Sequence, residues 1–184
     1  MKRGLRVWIA ILALWLAAVP AHAAVTVTFY GHEGLKVRGG FLYFPHAYVR
    51  LTGTLDETGE VVDQAYGFTA LNPGPQLLFM SGRGVLAEPD ARYVAEGIAY
   101  LSVEIEDATY HAIQARFAHW RSREGSTYNL NRRNCITFVA DIARTAGLTT
   151  PSEDTLSPNG FLKELVVLNP QLPAVEALPS PIAA

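Results

Sequence analysis

The chain has 184 residues, 49% of them hydrophobic and 17% charged, with a formal net charge of −2. That length is about one domain, and the composition excludes a disordered or low-complexity protein. Three basic residues, Lys2, Arg3 and Arg6, sit at the extreme N-terminus; without them 12 basic residues face 17 acidic ones, a balance of −5. Such a chain has no general attraction for phosphate backbones, so nucleic acid is not an expected partner.

Residues 1–23 have the three-part layout of a secretory signal: a basic start, an apolar run from Val7 to Val19, then Pro20 and the small-residue pattern Ala21-His22-Ala23. The apolar run would rise only about 20 Å as a helix, short of a hydrocarbon core of roughly 30 Å. Cleavage is therefore expected after Ala23, leaving an exported protein, periplasmic or secreted, with no stable membrane insertion. The chain carries one cysteine, Cys135, so no internal disulfide is possible. A lone thiol in an oxidising compartment is buried and inert, paired with another chain, or kept for its reactivity.

Along the mature chain, alternating β-branched and aromatic residues predict strands over 25–30, 43–52 and 61–69, the last two forming a hairpin that turns at 56–59. A short apolar strand is expected over 76–80, one or two helical turns around 89–95, and a further strand over 98–106. The pattern then changes period. Asp107 is a plausible N-cap for a helix to about Arg123, with Tyr110, Ile113, Phe117 and Trp120 on one face. A second helix is expected over about 134–146, closed by Gly147, and a third after Ser157 with Pro158 at its first position. Strands first and helices later predict one α+β domain over 24–168, an antiparallel sheet packed against helices. From Asn169 to Ala184 the Pro- and Ala-rich sequence is expected to be a flexible tail.

Cys135 falls on the apolar stripe Cys135, Phe138, Val139, Ile142, Ala146, which by itself suggests a packed core thiol. It also falls in the first turn of its helix, after the natural N-cap Asn134 and the pair Arg132–Arg133. There the free N–H groups and the positive end of the dipole favour the thiolate, so a lowered thiol pKa is expected. A nucleophile of this kind needs a base. His111 and His119 point away from the apolar face of their helix, and His32 lies in a glycine-bearing loop. His46 opens a strand of aromatic and aliphatic residues, where a rigid scaffold can hold an imidazole against the thiol. No CxxC and no histidine pair at ligand spacing is present, so neither metal nor cofactor is expected.

The run PHAYVRL on a strand, followed far downstream by NCITFVADIARTAGL opening a helix, resembles the permuted papain-like fold of the lecithin:retinol acyltransferase-like and NlpC-type cysteine hydrolases and acyltransferases. The upstream YNLNRRN is similar to that branch as well. The resemblance covers about residues 25–168 and implies Cys135 as nucleophile and His46 as base. Such sites usually hold a third polar group that orients the imidazole, on the strand after the histidine strand. If the hairpin turns at 56–59, opposed residue numbers sum to about 115, and His46 faces Thr69. The backbone N–H of Cys135 is the default oxyanion donor, with Asn134, Tyr128 and Asn129 as further oxyanion or positioning candidates. The implied activity is attack of Cys135 on an amide or ester to give a thioester, with a cell-wall peptide or a lipid-type substrate. The alternative is a non-catalytic envelope binding protein with Cys135 buried.

Overall fold

The alternating segments fold into six strands in the computed structural model, which describes residues 24–33, 45–122, 126–172 and 175. They are β1 (Val25–His32), β2 (His46–Thr54), β3 (Val61–Ala70), β4 (Gly82–Ala87), β5 (Ile98–Ile105) and the short β6 (Thr127–Tyr128). The order across the sheet is β5-β1-β2-β3-β4-β6, and every neighbouring pair is antiparallel. Four helices complete the fold: α1 (Ala91–Ala95), α2 (Asp107–Arg121), α3 (Cys135–Thr145) and α4 (Pro158–Leu168). The α+β class expected from the sequence is the class observed. The expected signal at 1–23, the start of the second predicted strand and most of the expected tail lie outside the described residues.

Strand alternation divides the sheet into two faces. Val25, Val27, Phe29, Ala47, Val49 and Leu51 are fully buried on one face, where α3 packs on β2 and β3 and α4 on β1 and β5. Tyr30 and Tyr48 stack on the other, with ring centroids 5.0 Å apart, and Tyr93 of α1 leans against Tyr48 at 5.7 Å. The β2–β3 register runs from Val49↔Tyr66 to Thr54↔Val61, the sum of 115 read from the turn position.

Helix α2 buries Ile113, Phe117 and Trp120. The rings of Phe117 and Trp120 meet Tyr66, Phe68 and Phe138 at 4.7–6.0 Å and form the aromatic centre of the core. Asp107 is the first helical residue rather than the cap. Its buried carboxylate instead accepts the backbone N–H groups of Asp56 and Glu57, tying α2 to the turn of the β2–β3 hairpin. Gly147 ends the α3 segment with φ +81°, a left-handed conformation that only glycine adopts without strain.

Two segments differ from the sequence reading. Residues 76–80 are not a strand: Pro75–Leu78 form a 3-10 turn, and Phe79 stands 87% exposed after it. The strand lies one step on, in the glycine-bearing GRGVLA of β4. Asn169, where the loose tail was expected to start, is buried. Its side chain donates to the carbonyls of Thr149 and Leu165 and accepts the N–H of Thr149, fastening the end of α4.

Candidate active site

Helix α3 begins where its cap dictates. The Asn134 Oδ1 accepts the N–H groups of Ile136 and Thr137 at 2.8 and 3.1 Å, and the Thr137 hydroxyl accepts the N–H of Asn134 at 2.9 Å. This reciprocal capping box fixes the first turn. The Asn134 amide also donates to the Leu130 carbonyl at 2.6 Å. Asn134 is thereby a structural cap whose polar atoms are engaged in building the turn that carries Cys135.

The Cys135 sulfur meets the start of β2. The backbone N–H groups of Ala47, Cys135 and Ile136 act on it and favour its charged form. Ala47 belongs to the buried face of β2, and His46, the residue before it, to the other face. Cys135 therefore starts from one face of the sheet and His46 from the other, at the same end of β2. Both line one cavity of about 500 Å³, and so do His32, Thr69, Tyr128 and Asn134.

Burial opposes charge on both members of the pair. It pushes the Cys135 thiol up to about 11, against the pull of the three N–H groups. Burial, and then repulsion from His32, holds His46 down to about 4. The resting state is therefore a neutral thiol and a neutral imidazole in one cavity. The thiolate expected from the helix position is not formed, because desolvation outweighs the end of the dipole. Burial raises the three phenols of the cavity as well, Tyr93 to about 12 and Tyr48 and Tyr128 likewise upward, so all three hydroxyls stay protonated.

Thr69 lines the cavity on β3, and the His46 ring lies over Gly67 of the same strand. Asn129 is turned elsewhere: its amide donates to Ser81 Oγ at 3.0 Å, and its backbone N–H to the Arg133 carbonyl at 2.9 Å.

His32 is the residue the sequence did not single out. It ends β1 directly opposite His46 in the ladder, is 6% exposed, and stacks on Tyr93 at 4.1 Å between ring centroids. Glu96 stands 3.8 Å from its Nε2. The available signal was the β1 alternation, which continues past Gly31 to place position 32 on the face of Tyr30. Among the described residues, no group of three or more His, Cys, Asp or Glu side chains is placed to hold a metal ion. No helix among them is long and apolar enough to cross a membrane.

No family model matches the chain, and no curated protein matches it. Among solved structures, the chain is similar to the type VI secretion system effector TseH, at 15% identity and a TM-score of 0.49, over 80% of this chain and 90% of that one.

Proposed function

We propose that this protein is an exported, permuted papain-like, cysteine-dependent hydrolase or acyltransferase acting on an amide or ester through Cys135 and His46. The observation that carries the proposal is that Cys135, opening α3, and His46, opening β2, line one cavity, with the Ala47 N–H among the backbone groups that favour the thiolate.

The neutral pair sets the order of events. As the sulfur attacks the carbonyl carbon, His46 takes the thiol proton, because neither thiolate nor imidazolium is stable at rest. The S–C bond forms and the carbonyl electron pair moves to oxygen, for which the Cys135 N–H and the Tyr128 hydroxyl are candidate donors. The pair returns, the leaving group departs with the proton from His46, and a thioester remains. Water, an alcohol or an amine then gives its proton to His46 and attacks the thioester, and the thiol is restored.

The test is intact-mass analysis after exposure to p-nitrophenyl acetate. The expected result is one hydroxylamine-labile acetyl group on Cys135, lost in Cys135→Ser and in His46→Gln. Wild-type turnover in either variant would overturn the mechanism, and a thiol that reacts only after unfolding would favour the binding-protein alternative. Export is tested separately: material from the envelope fraction should begin at Ala24, and an intact Met1 on a salt-resistant membrane fraction would refute it.

A further inference from the structure

The cavity beside Cys135 is walled by hydrocarbon. Leu77 and Leu78 come from the 3-10 turn, Leu130 and Ile136 from the segments around the cap, and Leu156 and Pro158 from the entry to α4. Leu77 is buried and packs over Gly82, which anchors the turn and leaves the next side chain to face the cavity. That side chain, Leu78, is 51% exposed, and Leu156, from a segment almost eighty residues away, is 58% exposed. Two leucines left half in water at one cavity are unusual company for a polar ligand. Phe79 and Met80, 87% and 59% exposed, carry the apolar surface outward from Leu78.

The charges point the same way. Among the described residues lining the cavity there is no lysine or arginine, and the carboxylates are Glu88 and Asp90, both exposed. Asp90 accepts the N–H of Tyr93 at 2.8 Å as the cap of α1 and is held in place. A ligand with free carboxylates, such as a cell-wall stem peptide, finds no cation here and two like charges. An uncharged chain finds about 500 Å³ of mostly apolar space, within the usual range for a small-molecule site.

We infer that this cavity holds the unbranched hydrocarbon chain of an uncharged acyl ester or amide, lying against Leu78 and Leu156 with its carbonyl at Cys135. The chemistry of the inference rests on the proposed Cys135–His46 reaction; the binding does not. The chain covers the leucines that stand in water in the free protein, so affinity and acylation rate rise with its length.

Two arms test this. In the first, single-turnover acylation of Cys135 is followed with p-nitrophenyl esters from acetyl to decanoyl. The rate constant should rise about fourfold for each methylene that leaves water, then level off when the chain outgrows the cavity. Leu78→Asp should flatten that slope, whereas Val61→Asp, at a 77% exposed apolar residue opening β3, should keep it. A flat series in the wild type, or equal slopes in both variants, overturns the inference and leaves the nucleophile reading standing. In the second arm, Cys135→Ala is loaded with the neutral fluorophore N-phenyl-1-naphthylamine. Monodecanoyl glycerol should displace it, and a stem tripeptide with free carboxylates should not. If no ester acylates Cys135, the proposed reaction fails and this arm alone decides: displacement by the glyceride upholds the cavity, and no displacement, or stronger displacement by the peptide, refutes it.

Discussion

The Nε2 atom of His46 lies over Gly67, 2.7 Å from where a β-carbon on that residue would stand. Tyr48 Cβ is 3.1 Å from the same point, so the space is closed on two sides. The φ of Gly67 is not positive, so the glycine is there for room and not for its backbone freedom. Gly67→Ala should therefore push the imidazole off its seat. The expected result is a loss of about a hundredfold in acylation rate, the usual scale for displacing a reacting group by about an ångström. The ring can swing into the cavity, so the melting temperature should change little. Melting curves beside single-turnover rates check this; equal rates in the variant and wild type would contradict the placement.

The pH profile follows from the lowered His46. Its free-base form persists down to about pH 4, so the acid limb of kcat/KM should lie near 4 and not near 6.5. His32→Gln removes a like charge, favours protonated His46, and should move that limb upward. The sign for stability is separate. Above pH 6.5 the ring is neutral folded or unfolded, and this residue adds no pH dependence. Between about 6.5 and 4 the unfolded chain takes the proton more readily, so stability falls as pH falls. The loss is at most about 3 kcal/mol, and less because part of the ring faces cavity water. Urea melts across this range, with His46→Gln as reference, measure it.

Alkylation reads the other partner. With the thiol at about 11, iodoacetamide modification should climb steadily from pH 7 to pH 10, about tenfold per unit, with no plateau near neutrality. A plateau at pH 6–7 would mean that an ion pair exists at rest.

Four substitutions at three positions of α3 and its cap separate chemistry from support. Cys135→Ser keeps the size and leaves the Ala47 N–H an acceptor, so it should stop turnover with a small change in stability. Ile142→Ala, fully buried two turns on, should cost about 2–5 kcal/mol while the folded fraction stays active. Asn134→Ala removes the cap and strands buried donors, at about 1–2 kcal/mol, and should loosen the turn that aims the thiol. Asn134→Asp, which retains the cap oxygen, should recover most of that stability. Thermal melts of all four beside acylation rates provide the comparison.

What the sequence disclosed, and what it hid, has physical causes. The β2–β3 register was legible because Gly59 and its polar neighbours could only be a turn, and a two-residue period then assigns every pair. The cap at Asn134 was legible because capping is local chemistry. The acidity of the thiol was not. Helix position argues for a thiolate, while burial comes from β2 and the cavity walls, which are distant in sequence. His32 was hidden by Gly31, which looks like the start of a loop. In the fold, Gly31 is in strand, where a side chain would meet Asn159 of α4 and Tyr100 of β5. Residues 76–80 misled because apolar character does not distinguish a strand from a turn whose side chains line a cavity. The glycines of β4 concealed a strand paired on both edges.

The burial of Cys135 has one more consequence, for how long the protein survives. A thiol at about 11 is ionised in only about one molecule in ten thousand at pH 7, and it is 5% exposed. Oxidation to sulfenic acid and beyond proceeds through the thiolate and requires access. The folded chain therefore keeps its single thiol reduced without a disulfide partner or a repair enzyme at hand. The sulfur is vulnerable during the interval before α3 docks against β2, when it is an ordinary exposed cysteine. Peroxide should damage the unfolded chain far faster than the folded one, and refolding under oxidant, more than storage under oxidant, should set the fraction of dead protein.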